Sequence, residues 1–177
     1  YVGEILLLNN HSDISYEMVT GYLEQHPELR VKYIDHSENL GVAKGRNYLI
    51  RLALFSQLLI IHEDMIFPET DALKKLSQYF NKPVFRENNT ALISFDVYYF
   101  ATGERQKNAL PHKQYKLYKD KSSFFTYYFS GGAHIVRKDV FEKTGYYPED
   151  FFYGMEEYDL SYRIIDEGDT IGYDNEV

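Results

Sequence analysis

Strand-like runs fall near 4–8, where the chain reads Glu-Ile-Leu-Leu-Leu, and near 57–62, where it reads Gln-Leu-Leu-Ile-Ile-His. Continuous apolar runs of this length are the pattern of strands buried on both faces. Further strand-like runs fall near 30–35, 90–97, 131–137 and 170–173. Helical periodicity falls near 16–26, 42–55, 69–80, 138–144 and 155–167. Strand and helix alternate, which predicts an α/β fold: a doubly wound, Rossmann-like, mostly parallel sheet flanked by helices, with ligands at the carboxyl ends of the strands. The stretch 98–129 breaks the rhythm. It is polar, basic and aromatic without a clear period, and inserted loops of that length commonly act as lids or mobile segments.

Composition narrows the possibilities. At 177 residues, with 44% hydrophobic and 26% charged positions, the chain reads as a single globular domain over 1–177 with a real core. Strand patterns at both extremes suggest a piece cut from something longer. A net charge of −8 argues against nucleic acid as a partner, since a chain of that sign is poorly suited to displace counterions from a phosphate backbone. No apolar run approaches the roughly 20 residues of a transmembrane helix. The absence of cysteine rules out disulfides and thiolate metal sites and fits a reducing, cytoplasmic compartment. The 18 tyrosines and 12 phenylalanines suit core packing first and sugar rings second.

Three stretches at strand ends carry candidate chemistry. In "ENLGVAKGRN", residues 38–47, Gly41 and Gly45 permit a tight turn and close approach. Lys44 and Arg46 follow in the opening of a helix, where cations oppose the macrodipole unless an anion is held there. A turn with two solvated cations is the competing reading. In "LLIIHEDMIF", residues 58–67, a buried strand runs into His62-Glu63-Asp64. If extended geometry persists, His62 and Asp64 share one side, and an imidazole beside a carboxylate suits manganese or magnesium. An ordinary polar strand end is the alternative. In "YGMEEYDLSYR", residues 153–163, Glu156 and Glu157 open a helix. One acid there is explained by the dipole alone, and Asp159 with Arg163 reads as an i,i+4 pair. Leu160, Ile164 and Ile165 form the apolar stripe. Adjacent glutamates point about 100° apart on a helix, so one can serve structure while the other faces a cleft.

Taken in order, these stretches resemble family 2 nucleotide-sugar glycosyltransferases of the GT-A fold. "ENLGVAKGRN" resembles that family's N-x-G-x-x-x-x-R-N segment, with Asn39 and Arg46 at its fixed positions. "IIHEDMIF" stands at its D-x-D metal motif, with His62 in place of the first Asp. Residues 129–168, "FSGGAHIVRKDVFEKTGYYPEDFFYGMEEYDLSYRIIDEG", resemble its acceptor-side block ending in E-[DE]-x-D-L-x-x-R. The family's first strand and helix would precede "ILLLNNHSD", where Asn9 and Asn10 replace the usual acids, and a further metal-contacting His lies beyond the last strand in relatives.

The resemblance implies an inverting transferase that moves a sugar from a nucleoside diphosphate (UDP, GDP or dTDP type) to a hydroxyl of a saccharide or lipid-linked acceptor, in bacterial polysaccharide or glycoconjugate synthesis. It implies Glu157 as the catalytic base with Glu156 as its understudy. Asp64 and His62 would hold Mn2+ or Mg2+. Asn9, Asn10, Asn39, Arg46, Glu63, Gly131 and Gly132 would bind the nucleotide sugar. A cytoplasmic location follows, with peripheral placement at the inner face of a membrane. Two other readings share these residues: a catalytically inactive GT-A-like domain that binds a sugar or partner, and a metal-dependent nucleotidyltransferase.

Overall fold

The structure is a computed structural model that describes residues 2–177. The chain divides into two compact units, one made of Val2–Phe55 and Tyr147–Glu156, the other of Ser56–Tyr146 and Glu157–Val177.

The amino-terminal unit is a β-α-β-α run. Strand β1 (Ile5–Asn9), helix α1 (Glu17–Gln25), strand β2 (Val31–Asp35) and helix α2 (Gly41–Leu52) follow one another. β1 and β2 pair in parallel from Ile5 opposite Val31 to Asn9 opposite Asp35, as a helical crossover between two strands requires. The leucines of β1 are only partly buried, so its apolar run does not mark a strand covered on both faces. On α2 the buried positions Ala43, Asn47 and Ile50 recur at helical spacing, forming the inward stripe. Gly41, not Gly45, makes the turn into this helix: its φ is +71°, and a Cβ would meet the Phe152 carbonyl at 2.8 Å. Gly45 lies inside the helix, where an added Cβ would touch Leu8 and Asn10 at 3.4 and 3.6 Å.

The second unit holds a five-stranded sheet in the order β3-β6-β4-β7-β5. Its strands are β3 (Gln57–Ile61), β4 (Thr90–Ser94), β5 (Ser123–Thr126), β6 (Ala133–Arg137) and β7 (Thr170–Asp174). Only β4 and β7 run parallel; β3–β6, β4–β6 and β5–β7 are antiparallel. The α/β class holds, but this sheet is mixed rather than mostly parallel. Apolarity reports burial and is blind to strand direction, so β4, buried at every position, reads the same either way.

Helices α3 (Ala72–Leu76), α4 (Pro83–Arg86), α5 (Tyr115–Tyr118), α6 (Asp139–Thr144) and α7 (Glu156–Asp166) complete the chain. The single helix expected over 69–80 is broken into α3 and a 3₁₀ turn at Tyr79–Asn81. Pro83 opens α4 and holds Lys82 extended at ψ 131°, as the residue before proline prefers. Leu76, Tyr79, Phe85, Ile93, Phe95 and Ile135 lie in one buried apolar cluster.

Candidate functional site

In the amino-terminal unit the carboxyl ends of β1 and β2 lie side by side. The Asn9 amide donates to Asp35 Oδ1 at 3.0 Å, and its own oxygen accepts the Ser12 N–H at 3.0 Å. A carboxylate at position 9 would face Asp35 as a like charge, which the amide avoids. Around the pair opens a cleft of about 670 Å3, lined among others by Ser12, Asp13, Tyr16, Tyr33 and Asp35. That volume suits a small-molecule site. Asp35 and the two tyrosines escaped the sequence reading, although Asp35 ends a strand, where ligands of such folds sit.

Asn10 and Asn39 knit the turn into α2. Asn10 Nδ2 donates to Asn39 Oδ1 (3.3 Å) and the Gly41 carbonyl (3.2 Å), while Asn10 Oδ1 accepts the Leu40 N–H (2.8 Å). Asn39 Oδ1 also accepts the Gly41 N–H at 2.9 Å. Only an amide can donate and accept in this way. Lys44 is exposed beside a second cleft of about 360 Å3 whose lining includes Glu38, Glu149 and Asp150. Three carboxylates make that place a poor seat for an anion.

Arg46 is not a solvated cation. It lies in the second turn of α2, only 9% exposed, with Nη1 3.1 Å from Glu156 Oε1 and its guanidinium 5.4 Å from the Tyr147 ring. Glu156 is 2% exposed. The neighbouring Asn47 donates to the Tyr147 carbonyl at 2.8 Å and to Glu149 Oε1 at 3.1 Å, and accepts the Tyr147 N–H at 3.0 Å. It clamps the segment that leads to Glu156, a role its place in the motif had not disclosed. The Val42 N–H bonds the Phe152 carbonyl at 3.0 Å. Gly154 and Met155 then take positive φ of 85° and 72°, a sharp reversal immediately before α7. Phe151, Phe152, Tyr153 and Met155 are all exposed.

Within the sheet unit, extended geometry stops at Ile61. The Met65 N–H bonds the His62 carbonyl at 3.2 Å, so 62–65 is a turn and strand alternation no longer places His62 and Asp64 on one side. The His62 N–H donates to the Gly132 carbonyl at 3.1 Å, and a Cβ on Gly132 would meet Met65 Cε at 2.9 Å. Gly131 is buried, while Glu63 and Asp64 are exposed on the turn. Among the described residues no group of three or more His, Asp or Glu side chains is placed to hold a metal ion. The exposed oxygens of Asp64 fit a hard divalent cation that brings the rest of its shell from a ligand.

On α7, Glu157 is half-buried and its carbonyl accepts from Ser161 Oγ at 2.6 Å. Asp159 binds Arg163 Nε at 2.8 Å, and Arg163 donates to the Thr144, Gly145 and Tyr146 carbonyls at the end of α6. A cation on those carbonyls complements the helix dipole, so this pair is structural. Leu160 and Ile164 are buried, but Ser161 completes the stripe and Ile165 is 39% exposed.

Solved structures share this fold. The chain superposes on a mannosyltransferase, PcManGT, of Pyrobaculum calidifontis in complex with GDP-Man and Mn2+ with a TM-score of 0.72 at 20% identity, covering 98% of this chain and 46% of that one. For residues 1–349 of TarS from S. aureus the TM-score is 0.69 at 14% identity, with 98% and 49% covered. For GalNAc-T7 with UDP, GalNAc and Mn2+ it is 0.67 at 15% identity, with 97% and 36% covered. The fold is thus that of the GT-A glycosyltransferases, and the chain spans less than half the length of these structures. An uncharacterized protein of Haemophilus influenzae is 27% identical over 147 residues, covering 82% of this chain and 77% of that protein. Residues 2–145 match Glycosyl transferase family 2, and the chain belongs to that family.

Proposed function

We propose that this domain is an inverting glycosyltransferase in which Glu157 is the catalytic base and Glu156 is a positioning residue. The observation behind the assignment is the unequal setting of the two acids. Glu156 is buried against Arg46 at 3.1 Å, so it holds a cation rather than exchanging a proton with an acceptor. Glu157, one residue on and half-buried, stands where the family motif has its base. An acceptor hydroxyl loses its proton to that carboxylate as it attacks the anomeric carbon, and the nucleoside diphosphate leaves from the opposite face. General-base assistance of this kind contributes about 10²–10⁴-fold.

The donor is a nucleoside-diphosphate sugar of UDP, GDP or dTDP type. Its nucleoside fits the cleft at Asn9 and Asp35, with Asn10, Asn39 and Arg46 shaping the adjoining turn and helix. Glu63, Gly131 and Gly132 are assigned to the donor's other end, where small residues let a sugar approach the backbone. Asp64, with His62, would hold Mn2+ or Mg2+ carried in by the diphosphate, and the bound cation would neutralise the leaving group. The GDP-Man and Mn2+ in the mannosyltransferase complex, and the UDP and Mn2+ in GalNAc-T7, support this donor class. In this reading the two units are parts of one transferase domain, which the family match over 2–145 supports. A saccharide or lipid-linked acceptor in bacterial polysaccharide synthesis, in the cytoplasm, completes the reading.

Calorimetric titration with UDP, GDP and dTDP, each with and without manganese, tests it. Metal-dependent binding of one nucleotide is expected. Binding of none would favour a catalytically silent, sugar-binding GT-A domain.

A further inference from the structure

Residues 98–129 contain Arg105 and five lysines against Glu104 and Asp120, in a chain whose net charge is −8. Within that stretch, residues 98–105 close into a tight hairpin. Tyr98 bridges to Arg105, the Tyr99 N–H bonds the Glu104 carbonyl at 2.9 Å, and the Tyr99 carbonyl accepts the Gly103 N–H at 2.8 Å. Phe100 stands at the tip, 89% exposed, next to Tyr99 at 53%. Arg105 turns inward. It pairs with the buried Asp96 carboxylate at 2.6 Å and donates to the Lys119 carbonyl just past α5. This pin fastens the hairpin to α5, on which Leu117 is 65% exposed. Lys107, Lys113, Lys116 and Lys121 are exposed along the same stretch, with Lys121 Nζ 4.2 Å above the Tyr118 ring. Of the two acids, Asp120 is paired with Lys119 at 3.2 Å.

We propose that this basic, aromatic-tipped surface docks the protein onto an anionic lipid bilayer. Exposed aromatic and leucine side chains interspersed with lysines in one segment are the make-up of an interfacial anchor, apolar groups entering the headgroup layer while the cations meet the lipid phosphates. A soluble polyanion would engage the same lysines and leave Phe100 unused, so the tip points to the bilayer. No helix among the described residues is long and apolar enough to cross a membrane. Each lysine near an anionic surface strengthens binding about five-fold. The inference does not depend on the transferase reading.

The test is co-sedimentation of the whole chain with vesicles of phosphatidylcholine alone or mixed equally with phosphatidylglycerol, at about 0.1 M salt. Binding is expected to the mixed vesicles only and to fall steeply as salt is raised. Phe100→Ser should weaken it about ten-fold through lost apolar burial, and Lys107→Ser with Lys116→Ser about 30-fold. Circular dichroism should show both variants folded as the parent is. Absence of vesicle binding, or equal binding to both vesicle types, overturns the proposal. So does a Phe100→Ser variant that binds like the parent while soluble polyphosphate competes, which would make the surface a polyanion site. Nucleotide titration of the same samples tells failure here from failure of the transferase reading.

Discussion

Replacing Glu156 by alanine should destabilise the chain while leaving its surface almost unchanged. The substitution takes from the Arg46 guanidinium, 9% exposed, the carboxylate 3.1 Å away. Breaking a buried ion pair from one side costs about 3–5 kcal/mol. The guanidinium keeps its other contacts, the Tyr147 ring at 5.4 Å among them, so the charge is not wholly uncompensated and the cost falls toward the low side, ~2–4 kcal/mol. Glu156→Gln keeps an acceptor in the same place. It also relieves the desolvated charge on Oε2, which is buried without a partner among the described residues, so its cost should be smaller, about 1–2 kcal/mol. With a urea slope of about 2 kcal/mol/M, the alanine variant should unfold ~1–2 M earlier. Urea titration followed by circular dichroism reads this directly. If Glu156→Ala unfolds within about 0.3 M of the parent, Glu156 is not the partner that holds Arg46. It would then return as a candidate base.

Other expectations can be checked separately. Glu157→Gln should reduce transfer by 10²-fold or more with calorimetric nucleotide affinity retained; transfer at the parental rate would remove Glu157 from the base position. Asp64→Asn should weaken manganese-dependent binding of the nucleoside diphosphate, and unchanged affinity in calorimetry would count against the cation site. Asn47→Ala removes its hydrogen bonds to the Tyr147 carbonyl, the Tyr147 N–H and Glu149 and should cost about 2–4 kcal/mol in urea unfolding, whereas a near-silent substitution would contradict the clamp. Glu149 has its carboxyl held below the usual range, first by the Asn47 amide and then by Arg51. A depressed acid stabilises the fold above its unfolded pKa of about 4.3 and loses that contribution as pH falls through the folded value. An NMR titration should therefore place Glu149 below free glutamate, and Asn47→Ala should move it up.

The sequence disclosed what depends on local pattern. The end of β2 at Asp35, the ends of β1 and β3 to within one residue, and the α2 stripe followed from apolar spacing, and the motif order disclosed the family. Strand β5 did not show, because Phe124 stacks on Tyr173 at 4.5 Å while Phe125 meets Phe85 edge-on at 6.3 Å. With aromatics taken up on both faces, no alternation remains to read. The turn at 62–65 was equally silent, since His-Glu-Asp carries no glycine or proline to announce it. Partnerships across the chain were beyond reach: nothing near Arg46 indicates that its counter-charge lies 110 residues away, and the proposed division of duties between Glu156 and Glu157 rests on that pairing.

The Asn47 clamp also governs the order of events during synthesis. Its partner Tyr147 lies 100 residues further along, so a ribosome finishes β1, α1, β2 and α2 long before the closing segment exists. Until then Asn47 has neither of its backbone partners and Arg46 lacks Glu156, leaving the first four elements an incomplete nucleus. Closing a loop of that length costs roughly 4 kcal/mol of chain entropy, to be recovered only when Tyr147–Glu156 arrives. The family match stops at residue 145, two positions before that segment. A fragment ended there would carry every strand of the amino-terminal unit and still lack the stretch that locks it.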